Sequence, residues 1–458
     1  MGSLAADTCY PDASDHALIL THPTAAEMER TWSLNHSEWG GPLDLPAYLG
    51  REKFLTSTSL AADGGMLHWI LTDAEAHDQD EKRRVLASCE TIRKRVLYVP
   101  RNGDEVREGL GYGIGSVYTY PEFRGKKYAA RMLKELGVAL KTQPEEEKEK
   151  QKAEQLRGKR PQAPGEYHIN AEAVCSALWS DIGKRFYASK GWPVFASDHV
   201  EFSSSPSSAS PPGIPSLLER SKQPHGASLT LVPVNTSNLA ELCQRDEAQL
   251  REDLLQSARD TGRTTFAFAP NHDVFRWHWA REEFIVSRVF PGRQASEVRG
   301  MIATVKKTRM WAIWMRNYGE GAASNPAKNT LYILRLVIDN TTTATSSSSS
   351  SNEGGISVPS ADPKALQLAF DAIMHSAIDA ARAWHCGSVH LWNPTPVVRG
   401  LIAGSGLAHK FVDREVDSIP SMMWYVSDDE IGNEDERMGK GNGREVVDWV
   451  ANEKYCWC

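Results

Sequence analysis

Residues 120–137 read Y-P-E-F-R-G-K-K-Y-A-A-R-M-L-K-E-L-G, a proline and a basic glycine turn set directly before an apolar-periodic run. Met132, Leu133 and Leu136 recur at helical spacing, with Tyr128 and Ala129 one turn earlier, which predicts an amphipathic helix over 127–140. Immediately upstream, G-I-G-S-V-Y-T-Y (113–120) is rich in β-branched and aromatic residues and predicts a strand. The turn Arg124-Gly125-Lys126-Lys127-Tyr128-Ala129 therefore lies between strand and helix. Backbone N–H groups of a first helical turn lack internal partners, and the helix dipole adds positive charge there. With an arginine and two lysines beside them, those donors suit a pyrophosphate. A solvated basic cap accounts for this segment alone equally well. The nearby run G-L-G-Y-G-I-G (109–115) does not make a dinucleotide fingerprint, because strand-like residues rather than a helix follow it.

A second stretch, W-S-D-I-G-K-R-F-Y-A-S-K-G-W (179–192), follows an apolar strand and predicts a helix near Asp181 to Lys190. Taken together, P-E-F-R-G-K-K-Y-A and D-I-G-K-R-F-Y-A-S-K-G-W resemble the two cofactor motifs of the GCN5-related N-acetyltransferase superfamily. The resemblance implies an acyl-CoA N-acyltransferase fold and acetyl-CoA as co-substrate, without a metal. It implies that the turn from Arg124 to Ala129 wraps the pyrophosphate, and that Tyr118 and Thr119 lie where the preceding strand splays to bind pantetheine. It gives Tyr187 the position of the tyrosine that protonates the departing CoA thiolate. One departure stands out: Lys127 occupies a place usually held by glycine, where a Cβ crowds the phosphate approach. Further stretches narrow the likeness: H-P-T-A-A-E-M-E-R-T-W-S-L-N-H-S-E-W-G-G-P-L (22–43), L-A-S-C-E-T-I-R-K-R (86–95), W-N-P (392–394) and W-V-A-N-E-K-Y-C-W-C (449–458). They resemble the fungal lysine N6-acetyltransferase family over nearly the whole chain, implying the ε-amine of free lysine as acceptor.

Such an amine, with a pKa about 10.4, is mostly protonated near neutrality, and removing that proton costs roughly 4–5 kcal/mol. A base or a water chain is required. Where relatives place a strand glutamate this chain has Gly113; Glu90, in C-E-T on the neighbouring strand, is the substitute, with a structural carboxylate the equal alternative. Asp181 reads as a helix N-cap. Trp32 reads as core, whereas Trp39, next to Gly40-Gly41, is the candidate wall of the acceptor site.

At 458 residues the chain is too long for one ordinary core. The run S-S-S-P-S-S-A-S-P-P-G-I-P (203–215) opens a linker. The expected division is a flexible 1–15, a catalytic domain over 16–202, a linker over 203–225 and a second domain over 226–458. The first domain reads as mixed α/β with a largely antiparallel start, not a doubly wound sheet. Three polar runs read as loop insertions: 141–165, 341–355 and 427–444. The second half reads as strand 230–234, helix 238–254, then strands at 266–270, 282–290, 299–305, 309–318 and 329–339. A long helix over 363–384, strand 388–392, helix 396–407 and strand 422–426 complete it. This parallels the first half and predicts a degenerate second copy of the same fold. It lacks the basic glycine turn, and the position matching Tyr187 falls near Gly400, so the copy is expected to be catalytically silent. Eight of its nine tryptophans (277, 279, 311, 314, 384, 392, 424, 449) are expected in a core, with a role in completing the acceptor pocket as the alternative.

Lys plus Arg 52 against Asp plus Glu 59 leaves a net charge of −7, with no global attraction to nucleic acid or anionic membrane. Seven scattered cysteines lack metal-ligand spacing and suit a reducing compartment. No secretory signal or membrane-length apolar run is present, so a cytoplasmic protein acting on a small-molecule amine is expected, with its oligomeric state open. Two other readings stay in play: an amine acetyltransferase of secondary metabolism, and a CoA-binding pseudoenzyme with a regulatory role.

Overall fold

The computed structural model describes residues 10–77, 83–156, 172–205, 229–339, 362–426 and 447–457. The expected linker beyond Ser205, the Ser/Thr tract and the acidic run after Ser427 lie outside them. The first half opens with β1 (Leu18–Thr21), α1 (Ala25–Trp39) and α2 (Leu45–Leu55), followed by the long antiparallel strands β2 (Met66–His77), β3 (Arg83–Val99) and β4 (Arg107–Thr119). Then come α3 (Tyr128–Leu156), β5 (Ala173–Ser180), the single turn α4 (Arg185–Ala188) and β6 (Asp198–Ser203). Helix α1 starts at a capping box, Thr24 and Glu27 each bonding the other's backbone N–H. Asp44 caps α2 at Ala47 N–H. Helix α3 outruns the expected 127–140 and continues through the charged run to Leu156. That run was read as a loop, yet its glutamates and lysines are good helix formers spaced for i,i+4 pairing.

The second half contains β7 (Leu229–Val234), α5 (Thr236–Thr261), β8 (Thr265–Phe268), α6 (His272–Val289), β9 (Gly300–Val305), β10 (Thr308–Asn317) and β11 (Thr330–Asp339). After these come α7 (Pro363–Ala383), β12 (Ser388–Trp392), α8 (Pro396–Gly404), β13 (His409–Asp413), β14 (Ile419–Trp424) and β15 (Asp448–Trp449). The strand expected over 282–290 is instead the C-terminal half of α6. Asn271 caps that helix, and Val274, Phe275, His278, Glu282, Ile285 and Val286 repeat at three and four residues along its buried face. Buried Glu282 accepts from Arg316 N–H and Nη1 there, so a β-branched run belongs to a helix stripe.

Two sheets result, and each borrows from the other half. The first has the order β1-β2-β3-β4-β5-β14, with β8 on the far end of β3 and β15 on β8; the second is β13-β6-β12-β11-β10-β9-β7. Strand β14 lies antiparallel to β5, pairing Ile419 with Ser180 through Trp424 with Cys175, while β6 is clamped between β12 and β13. Every residue of β5 is buried, as befits a strand covered on both faces and both edges. Between the sheets a shared core collects Val96, Trp179, Phe266, Trp277, Trp311, Trp392 and Tyr455. The C-terminal tail is sealed into it: Tyr455 donates to Phe268 C=O at 2.7 Å, and the Lys94 ammonium to Cys456 C=O at 2.6 Å.

The two halves repeat one device. Parallel pairing of β4 with β5 stops at Ile114–Leu178, where a bulge interrupts the β3–β4 ladder between Ser88 and Glu90. Parallel pairing of β11 with β12 stops at Ile333–Leu391, where a bulge interrupts the β10–β11 ladder. Each bulge twists its strand away from the parallel neighbour and opens a wedge at that point.

Candidate functional site

The first wedge is built from Gly115 to Thr119, which have β3 on one side and no β5 partner on the other. Ser116 at its apex holds φ +51°, left-handed for a residue with a Cβ, and its hydroxyl donates to Glu90 Oε2 at 3.0 Å. Tyr118 and Thr119 fall on the free stretch. A 3-10 turn, Pro121–Phe123, leads to the basic turn. Gly125 there has φ +80°, and Lys127 has φ +67°. Lys127 therefore stands where the backbone favours glycine, which gives the sequence departure a concrete form. Lys126 lies 4.9 Å over the Tyr10 ring, and Arg124 donates through Nε to Thr119 C=O at 3.1 Å and through Nη2 to the Tyr118 hydroxyl at 3.1 Å. Tyr128 and Ala129 begin α3, so the turn, the wedge and a helix N-terminus converge on one edge.

At the base of the wedge lies a cavity of about 180 Å³, lined among others by Trp39, Glu90, Gly115, Ser116 and Tyr187. The structure thus brings together the three side chains proposed from sequence for catalysis and acceptor binding. Trp39 meets the Tyr118 ring edge-on at 5.6 Å between centroids. Glu90 is a hub: its Oε1 accepts from Trp32 Nε1 at 3.2 Å and lies 3.3 Å from His68 Nε2, while Oε2 takes the Ser116 hydroxyl. Burial pushes the Glu90 carboxyl up, but His68, Ser116 and Trp32 outweigh it and hold it below the ordinary carboxylate range. Glu90 is thereby an ionised acceptor better suited to holding an ammonium than to keeping its proton. Burial raises the Tyr187 phenol, so it stays protonated throughout the physiological range. A phenol that keeps its proton next to a site of developing negative charge is a competent proton donor.

Sequence reasoning named Asp181 only as a helix cap and Trp277 only as a core residue or an alternative pocket wall, and missed Arg51, Glu52, Arg281 and Trp457 in this lining. Arg51 and Glu52 come from α2, Asp181 from the end of β5, and Trp277, Arg281 and Trp457 from the second half. Arg51 Nε donates to Glu52 Oε1 at 2.8 Å and Nη2 to Trp39 C=O at 3.2 Å. Burial raises the Glu52 carboxyl despite that partner. Asp181 is not a helix cap: α4 begins after Lys184, and the Asp181 carboxylate accepts Ser418 N–H at 2.8 Å from the second half. Burial raises Asp181 as well. The predicted helix over 181–190 shrinks to one turn because Gly183, at φ +77°, bonds Val416 C=O instead of continuing a helix.

The second wedge is larger and differently equipped. A cavity of about 970 Å³ lies between Leu336–Ile338, α8 and the tail. Its strand groups are already taken: Leu336 N–H donates to Glu453 Oε2 at 2.9 Å, and Ile338 C=O accepts from Gln249 Nε2 at 2.9 Å. Arg335 is held by both Asp246 oxygens, at 2.9 and 2.7 Å. Position 399, seven residues past β12, is an arginine paired with Asp198 rather than a tyrosine. Six of those eight tryptophans are buried at 9% exposure or less, and Trp277 also faces the first cavity. Among the described residues, His199, Glu201 and His390 bring ligand-type atoms within 4.8 Å of one another. Arg414 and Lys454, close enough to depress the His390 pKa, oppose a cation there.

Residues 216–458 match the family described as the LYC1 GNAT-like C-terminal domain. A lysine acetyltransferase of Yarrowia lipolytica is 28% identical over 166 residues, covering 36% of this chain and 38% of that protein. An uncharacterized protein of Saccharomyces cerevisiae is 23% identical over 308 residues, covering 62% of this chain and 68% of the relative. The match thus spans well under two thirds of the Yarrowia protein's length. Among solved structures, a probable N-acyltransferase of Enterococcus faecalis V583 aligns over 88% of this chain and 72% of its own, at 13% identity and TM-score 0.44. A tandem GNAT protein from the clavulanic acid biosynthesis pathway aligns over 89% and 98%, at 10% identity and TM-score 0.38. No helix among the described residues is long and apolar enough to cross a membrane.

Proposed function

The chain belongs to the family of the LYC1 GNAT-like C-terminal domain, and on that premise we propose that it is an acetyl-CoA-dependent N-acetyltransferase acting on the ε-amine of free lysine. The observation that carries the reading is the meeting of the wedge, Glu90 and Tyr187 in one small cavity. Pantetheine lies along the free backbone of Gly115 to Thr119, its pyrophosphate over the turn from Arg124 to Ala129. The thioester then reaches the cavity that Trp39, Glu90 and Tyr187 line. Glu90 attracts the ammonium; the proton leaves through water, and the neutral amine attacks the thioester carbon. The C–S bond breaks as the C–N bond forms, Tyr187 gives its phenolic proton to the departing thiolate, and the second proton shed by the acylated nitrogen restores the phenol. The volume, below the range of about 300–1,000 Å³ for drug-sized ligands, supports a small metabolite as acceptor.

Tyr187→Phe tests the assignment. Loss of a proton donor used only in the transition state lowers kcat by about 10²–10⁴-fold and leaves the KM for acetyl-CoA nearly unchanged. An unaltered kcat in a thiol-release assay with lysine removes Tyr187 from the mechanism. Tight CoA binding without turnover on any amine returns the pseudoenzyme reading.

A further inference from the structure

Among the described residues, Arg281 is the one cation that the second half sets in the cavity wall, from α6. Its Nη1 donates to Asn317 Oδ1 at 3.0 Å, and its guanidinium stands 5.7 Å from the Trp457 ring. Both contacts are to neutral groups. The other cavity guanidinium, Arg51, is matched by Glu52 on the adjacent position of α2. Burial and the neighbouring Arg51 press the Arg281 pKa down to about 10 against the opposing pull of Glu52, which leaves the charge only partly compensated. An entering carboxylate completes the compensation, and the planar fork of a guanidinium fits it bidentately. The remainder of the lining divides by chemistry. Leu55, Met66, Ile92 and Trp277 offer apolar walls suited to a methylene chain, while Glu90 and Asp181 supply carboxyl groups and Tyr187 marks the reacting end. Formal charge over the whole lining is three carboxylates against two guanidiniums, which complements a molecule with two ammonium groups and one carboxylate.

We propose that Arg281, supplied across the interface by the second half and flanked by Arg51, is the subsite for the acceptor's own carboxylate. The acceptor is then a free diamino acid, and neither a lysine within a peptide nor a polyamine without a carboxylate fits the site. The inference rests on the cavity being the amine site of the proposed reaction, and adds to it a role for the silent copy. Half of the acceptor's recognition comes from a domain that takes no part in the chemistry.

The test pairs variants with acceptors in the full-length protein. Wild type, Arg281→Gln and Arg281→Lys are assayed for kcat/KM with acetyl-CoA and lysine, lysinamide or 1,5-diaminopentane. Wild type is expected to prefer lysine over both analogues by about ten- to a hundredfold, the range for one charge-assisted hydrogen-bonded contact. Arg281→Gln is expected to lose about tenfold or more on lysine beyond whatever it loses on 1,5-diaminopentane, collapsing the preference, with the KM for acetyl-CoA held. Arg281→Lys keeps the charge without the fork and is expected to fall between; it carries the test where Arg281→Gln fails to fold. Equal losses on all three acceptors, or a wild type indifferent to the carboxylate, overturn the proposal. Absence of turnover on every amine overturns the acetyltransferase reading instead. Calorimetric binding of lysine and 1,5-diaminopentane to wild type and variant, in the presence of CoA, then decides the subsite. Lysine affinity unchanged in Arg281→Gln refutes it.

Discussion

Replacing Lys127 by glycine isolates the strain in the basic turn. At φ +67° an L-residue sets its Cβ against the following carbonyl, a cost of roughly 1–2 kcal/mol. Glycine escapes that cost but loses about 0.4–1 kcal/mol more chain entropy on folding. The difference favours Lys127→Gly by about 0.5–1 kcal/mol, a rise of about 0.5–1 °C in Tm for a chain of this size. Lys127→Ala is the control, since it removes the same charge and keeps the Cβ, so it gains nothing. The two variants also separate the lysine's two effects on the proposed cofactor. Whatever CoA affinity both lose by calorimetry belongs to the ammonium; whatever only Lys127→Gly regains belongs to steric relief over the pyrophosphate. Gly125→Ala is the mirror experiment: φ is +80° and a Cβ there meets nothing within 4 Å, so the expected loss, about 1 kcal/mol, comes from the backbone alone. Equal melting of Lys127→Gly and Lys127→Ala, or a lower Tm for glycine, refutes the reasoning.

Three further outcomes are expected. Arg124→Ala weakens CoA binding by about 1.5–3 kcal/mol, the range for hydrogen bonds to charged groups, and calorimetry reads it directly. A fragment ending at Ser205 aggregates or stays unfolded by circular dichroism, because it strips β14 from one edge of β5 and bares the apolar face shared with the second half; a soluble, cooperatively melting fragment contradicts the strand exchange. Burial and the nearby His199 lower the His390 pKa from 6.5 to about 4, so the folded state resists a proton that the unfolded chain accepts. Stability attributable to His390 is complete above pH about 6.5 and declines toward pH 4, by about 3 kcal/mol in all. His390→Gln flattens that part of the pH profile of Tm, and an unchanged slope places the acid lability elsewhere.

How far the sequence carries depends on how local each signal is. The strand, turn and helix from Gly113 to Gly137 were legible because apolar spacing, glycine and charge all sit within one short stretch. Tyr187 and Glu90 were legible because motif and strand neighbours name them, and the structure places both at one cavity. Arg51, Glu52, Arg281 and Trp457 were not. Each looks like an ordinary helix or tail residue, and they meet only once α2, α6 and the C-terminus pack together across the interface. The C-W-C ending is a case in point: nothing in those three letters marks a cavity residue, yet Trp457 packs into the cavity wall and Cys456 is buried beside Lys94. Helix α6 was misread where attention fell on its β-branched C-terminal half without the capping Asn271 upstream.

The exchange of β14 for β6 also sets a timetable for synthesis. Strand β5 leaves the ribosome with its outer edge unpaired, and the segment that covers it follows roughly 240 residues later. At about 5–20 residues per second, the first sheet waits on the order of ten to fifty seconds for its last strand. Throughout that interval a fully apolar strand is open to wrong partners, including β5 of a neighbouring nascent chain. A premature stop anywhere before Ile419 therefore yields not merely a shortened chain but an unfinished sheet, its β5 edge left bare.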